Sequence, residues 1–148
     1  MNPHKQLRQL HLQFWTAFRE HMEAKKSFIS CRKPSKENFM AHPIGRTGFG
    51  LISVISSIPE YEIRAELYID PPNTKRAFPI LQQNQKQIEA ALGFPLIWHS
   101  PEESAARRLY TRKDADFLNQ ALWPEQFEWL RQRLEIMHKV FAPKLKDL

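Results

Sequence analysis

The sequence predicts an α+β fold: an antiparallel sheet of about five strands packed on one face by three helices, in the order α-βββ-α-ββ-α. Three observations support this. Stretches near both ends repeat large apolar residues at helical spacing. Between them lie three strand-like segments separated by turn residues, a β-meander. The chain has 148 residues, of which 42% are hydrophobic and 26% charged, with four Trp and ten Phe. A globular chain of that size buries roughly 70% of the surface its unfolded form exposes, enough for one core. A single domain over residues 1–148 is expected.

Taken in order, Leu7, Leu10, Phe14, Phe18 and Met22 mark an amphipathic helix of about five turns, with Trp15 widening its apolar stripe. From Ala24 to Glu37 the pattern dissolves into Lys25, Lys26, Arg32, Lys33, Pro34 and Lys36, which reads as a basic, mobile connection; a brief strand at Phe28 to Cys31 stays open. Phe39 to Ile44, Phe49 to Ser56 and Glu62 to Ile69 are the meander strands, joined by Gly45-Arg46-Thr47-Gly48 and Ser57-Ile58-Pro59-Glu60. The third alternates most cleanly. Ile63, Ala65, Leu67 and Ile69 take one face, and Glu62, Arg64, Glu66, Tyr68 and Asp70 take the other, which predicts one buried and one wet face.

Pro71-Pro72-Asn73-Thr74 closes this segment. Ala77, Phe78, Leu81, Ile88, Ala91 and Leu92 mark a second helix ended by Gly93, with Pro79 either in its first turns or kinking it. Pro95 to Ser100 and Ala106 to Arg112 read as two strands around Pro101-Glu102-Glu103-Ser104, and Asp114 to Leu122 as loop. The last helix begins at Trp123-Pro124-Glu125-Gln126, carries Phe127, Leu130, Leu134, Met137 and Phe141 at helical spacing, and is expected to stop at Pro143.

Twenty-two Lys and Arg against sixteen Asp and Glu leave a charge of +6, which attracts polyanions without choosing among them. Cys31 is the single cysteine, so an internal disulfide is excluded and a reducing, cytoplasmic setting is expected. No apolar run approaches a membrane span.

The segments Phe14-Trp15-Thr16-Ala17-Phe18-Arg19-Glu20, Ile44-Gly45-Arg46-Thr47-Gly48-Phe49, Ile63 through Asp70, and Trp123-Pro124-Glu125-Gln126 through Phe141-Ala142-Pro143 are similar to the bacterial domain of unknown function 4268. The resemblance covers most of the chain. It implies an accessory module that occurs alone or C-terminal to PD-(D/E)XK nuclease-like domains, hence a nuclease or defence context. It supplies no catalytic residue.

The chemistry of such a nuclease needs a separate acid on the strand before an acid-x-base pair. Glu62-Ile63-Arg64 is a half-match, but residues 38–59 contain no Asp or Glu. Glu62, Glu66 and Asp70 stand four residues apart, about 13 Å along a strand, beyond the roughly 9.5 Å of paired catalytic carboxylates. His4, His11, His21, His42, His99 and His138 lack metal-ligand spacing. Cys31 lies beside Arg32 and Lys33 but near no histidine motif, and reads as inert. No catalytic residue, metal site or cofactor is therefore expected.

Two candidate binding features are left. The turn residue Arg46 is a candidate anion ligand. More weight falls on Arg108, Tyr110 and Arg112, which alternate on one strand face; continuous with Arg64, Glu66 and Tyr68, they form a candidate binding face of cations and rings. The plainer alternative is a solvated face whose arginines pair with Glu102, Glu103 and the meander acids. The expected function is thus an accessory, non-catalytic module. Its partner is nucleic acid, or, alternatively, another protein or a second copy of the chain; a metal-dependent hydrolase or nuclease is a distant third.

Overall fold

The computed structural model describes residues 2–99 and 106–148. Helix α1 (Pro3–Ala24) begins where Asn2 accepts a hydrogen bond from the His4 amide, with Pro3 in the first turn. Its buried stripe is His11, Phe14, Trp15, Phe18 and Met22. The strands β1 (Phe39–Pro43), β2 (Phe49–Ser56) and β3 (Glu62–Ile69) form the meander. Helix α2 (Pro71–Gln83) and α3 (Gln85–Leu92) follow, then β4 (Ile97–His99), β5 (Arg107–Asp114), a one-turn 3₁₀ helix at Gln120–Leu122, and α4 (Trp123–Leu145).

The sheet is antiparallel throughout, in the order β1-β2-β3-β5-β4. Leu51, Ile55, Ile63, Ala65, Leu67, Ile69 and Leu109 on one face are fully buried and join Phe14, Trp15, Phe18, Phe127, Leu130, Leu134 and Phe141 of the helices in one cluster. Edge-to-face rings tie α1 to α4: Phe14 meets Trp123 at 5.2 Å and Phe127 at 5.0 Å.

The connection over residues 25–38 is not a loose one. His11 Nδ1 lies 2.9 Å from the Lys36 oxygen, Trp15 Nε1 donates to the Glu37 oxygen at 2.8 Å, and the Arg32 amide donates to the Ala41 oxygen. Phe28 to Cys31 is not a strand; its order comes from the buried Ile29 side chain and from the Ser30 oxygen, which contacts His42.

Three boundaries depart from the sequence reading. The second helix is two helices parted at Asn84, whose amide turns back to the Leu81 oxygen while its side chain bonds the Ile80 oxygen. It also begins at Pro71, because Pro-Pro suits a first turn where no intrahelical amide bond is needed; Pro79 consequently lies in the body of α2. Pro143 does not end α4, which continues to the fully buried Leu145. Packing of that leucine outweighs the one hydrogen bond that proline removes. Gly93 caps α3 with φ of 86°, as its position predicts. The turn at Pro101-Glu102-Glu103-Ser104 lies outside the described residues.

Candidate binding site on the open sheet face

The face of the sheet turned away from the helices is built from four cross-strand rows, one of them Ser56, Glu62 and Asp114. Phe39, Val54, Arg64 and Arg112 are in register; so are Ala41, Ile52, Glu66, Tyr110 and Ile97; so are Pro43, Gly50, Tyr68, Arg108 and His99. The six residues singled out in the sequence, Arg64, Glu66, Tyr68, Arg108, Tyr110 and Arg112, therefore do share one face. Pairing of β3 with β5 brings them together from positions 40 to 48 residues apart in the chain.

This face is only partly wet. Glu62 is 6% exposed and Glu66 1%, although both project to the open side. Neighbouring guanidiniums lie against them. Arg64 Nε is 3.1 Å from Glu66 and 3.7 Å from Glu62, Arg112 Nε is 3.1 Å from Glu62, and Arg108 Nε is 4.0 Å from Glu66. Arg112 also bonds Asp114, and the Arg64 guanidinium lies 5.1 Å from the centre of the Tyr110 ring. Three arginines and three acids thus balance. Burial pushes the Glu66 carboxyl up; Arg64 and Arg108 oppose that rise and Glu62 adds to it. Asp70 leaves the face altogether, since it precedes α2 and its Oδ1 accepts from Asn73.

Beside the charges runs an apolar strip that the sequence reading did not assign to a site. Phe39, Ile52 and Val54 border a concavity of about 420 Å³ together with Asn38, Arg64, Glu66, Tyr68 and Arg108. Ile52 and Val54 alternate with Leu51 and Ile55, so β2 is apolar on both sides, a signal available in the sequence. Ala41, a small residue, lies in the row between those of Phe39 and Tyr68, and Gly50, directly opposite Tyr68, adds no side chain. Phe39 and Ile97 are each 43% exposed at opposite ends of the face.

A family model described as domain of unknown function DUF4268 matches residues 10–145. The chain belongs to the DUF4268 family. No curated protein matches it. Among solved structures it is similar to YbjN from E. coli, described as a candidate transcription regulator, at 10% identity and a TM-score of 0.41, with 87% of this chain and 92% of that chain covered.

Several other polar groups of this DUF4268 chain are committed to structure. The Arg46 guanidinium, the turn candidate, donates to the backbone oxygen of Leu148. His42 is 1% exposed; Nδ1 contacts the Ser30 oxygen at 2.9 Å and Nε2 the Ser53 hydroxyl at 2.7 Å, and burial lowers its pKa to about 4. Because Ser30 offers only an acceptor there, Nδ1 carries the proton. His21 Nε2 lies 2.7 Å from Glu128, whose carboxyl is held down at about 2, chiefly by Arg131 and further by His21. Burial raises the Cys31 thiol to about 11, the opposite of an activated nucleophile. Among the described residues no group of three His, Cys, Asp or Glu side chains is placed to hold a metal ion, and no helix is long and apolar enough to cross a membrane.

Proposed function

We propose that this chain is a non-catalytic accessory module that binds another protein through the open face of its sheet. The observation that supports this reading is the makeup of that face: an apolar strip of Phe39, Ile52 and Val54 beside arginines already neutralised by Glu62, Glu66 and Asp114. A polyanion needs uncompensated cations, whereas protein interfaces combine apolar area with internally satisfied charge.

Nucleic-acid association is a second reading with its own observation, at a different place. Lys25, Lys26, Arg32, Lys33 and Lys36 are exposed within one short segment, and the chain carries a charge of +6.

A photo-crosslinking amino acid at Phe39 or Ile52 separates the two in the host cell. The protein-binding reading expects a discrete protein adduct, self or foreign, from these positions and none from Ile80, an exposed residue of α2. Absence of adducts from the sheet face, combined with salt-steep binding of labelled DNA or RNA that weakens when Lys25, Lys26, Arg32, Lys33 and Lys36 are changed to Ala, would favour nucleic acid instead.

A further inference from the structure

Glu66 holds an unusual place. It belongs to the open face by register, yet it is 1% exposed, because Arg64 and Arg108 lie across it. A carboxylate removed from water in this way needs cationic partners. Both contacts run through an Nε atom: Arg64 Nε at 3.1 Å and Arg108 Nε at 4.0 Å. The Arg64 contact is close but misaligned, leaving buried Arg64 Nε and Glu66 Oε1 without a hydrogen bond.

Arg108 is the member of this group that reaches water, its side chain 46% exposed. Among the described residues no acceptor engages its two Nη groups. The guanidinium therefore stands at the concavity with one edge facing Glu66 and the forked edge open. The planar guanidinium fork matches a carboxylate bidentately and loses less freedom per hydrogen bond than a flexible ammonium does. The concavity, at about 420 Å³, exceeds what one acidic side chain fills, and its remaining walls are Phe39, Ile52, Val54 and Tyr68.

We infer that this concavity is a recognition pocket for an acidic side chain of a partner protein, flanked in the partner by apolar residues. The carboxylate would pair with the Nη edge of Arg108, and the neighbouring apolar side chains would cover Ile52, Val54 and Phe39. Charge selects this occupant. The acids that balance the wider face, Glu62 and Asp114, lie on Arg112 outside the pocket; the lining itself holds two guanidiniums and one carboxylate, a local excess of one positive charge that one carboxylate cancels. A partner Lys or Arg would meet two guanidiniums, and a doubly charged phosphate would leave excess negative charge beside Glu66. This inference rests on the open face being a protein-binding surface.

The probe is a set of acetylated, amidated pentapeptides, Val-Leu-Glu-Leu-Val and its Gln, Lys and phosphoserine counterparts at the centre, titrated into ¹⁵N-labelled protein. The Glu peptide is expected to shift amides of β1, β2, β3 and β5, and to bind roughly 10- to 100-fold more tightly than the Gln peptide. Arg108→Gln should abolish that preference while leaving the dispersed spectrum of a folded protein, and Lys113→Gln on the same strand should preserve it. Equal affinity of the Glu and Gln peptides overturns the pocket while leaving the open face a protein-binding surface. A preference for Lys or phosphoserine, survival of the Glu preference in Arg108→Gln, or no binding by any peptide at millimolar concentration also overturns it. Failure of the broader reading shows separately, as missing crosslinks from Phe39 and Ile52.

Discussion

A buried histidine and a surface glutamate set two distinct acid limits on this fold. His42 is neutral in the folded protein because burial holds its pKa near 4, while an unfolded histidine takes up its proton near 6.5. The unfolded state therefore binds the extra proton first, and stability falls as pH drops from about 6.5 toward 4, by roughly 3 kcal/mol in all. Glu128 acts lower. Its carboxyl is held at about 2 against a usual 4.5, so its contribution is present above 4.5 and is lost as pH falls from there toward 2. Urea-unfolding midpoints measured at intervals from pH 7 to pH 4 should decline in the native protein. In His42→Asn the starting stability should be lower and the slope above pH 4.5 shallower, His138, also lowered by burial, keeping part of it; an unchanged slope would mean that His42 is not the group titrating.

At the scale of an element, the hairpin joining β1 and β2 shows how one turn serves two purposes. Gly45 and Gly48 have φ of 88° and 90°, so each supplies a backbone conformation that other residues adopt at a cost. Only Gly48 is also crowded: a Cβ there would lie 1.9 Å from Asn73 Nδ2 and 3.1 Å from Asp70 Oδ1, the pair that opens α2. Around Gly45 there is open space. Gly45→Ala should thus cost about 1 kcal/mol from backbone strain alone. Gly48→Ala should cost more, roughly 2–4 kcal/mol, since the Asp70–Asn73 contact must also move. Thermal denaturation of the two variants side by side tests the ranking, and equal losses would contradict it.

For the molecule as a whole, the two sheet faces make opposite uses of aromatic residues. Phe14 is fully buried between α1, α4 and Phe117, whereas Phe39 is 43% exposed on the open face. Phe14→Ala should lower stability by about 3–5 kcal/mol and loosen α1 from α4. Phe39→Ala should cost under about 1 kcal/mol and, on the proposed function, should act on partner binding instead. Denaturant titration reads the first difference. A large stability loss in Phe39→Ala would mark that ring as structural and count against a docking role. The positive charge of the chain is likewise uneven in setting: the sheet arginines lie beside carboxylates, whereas Lys25, Lys26, Arg32, Lys33 and Lys36 stand exposed within one short segment.

Much of this was legible locally. Alternation in Glu62 to Ile69 separated the two faces, the glycine-bounded turn after Pro43 located the first hairpin, and the spacing of Phe14, Phe18 and Met22 and of Phe127, Leu130 and Leu134 revealed the clamping helices. Each signal is legible because period and turn chemistry act over a few residues. The boundaries that slipped are Pro71, where a first-turn proline is tolerated, Pro143, where packing of Leu145 outweighs local preference, and Asn84, whose own hydrogen bonds to Leu81 and Ile80 part the helix.

Local pattern alone carries the fold class, the strands of the meander and the residues of the charged face, and it offers no spacing suited to metal or nucleophilic chemistry. That this face is not a free cationic platform emerges from strand pairing. Registering β5 against β3 sets Arg112 over Glu62 and Arg108 near Glu66, buries both acids, and leaves a concavity bordered by Phe39, Ile52 and Val54. The physical reason is range: a side chain's period is set by its neighbours in sequence, but its burial and charge balance are set by strands that pair from far apart in the chain.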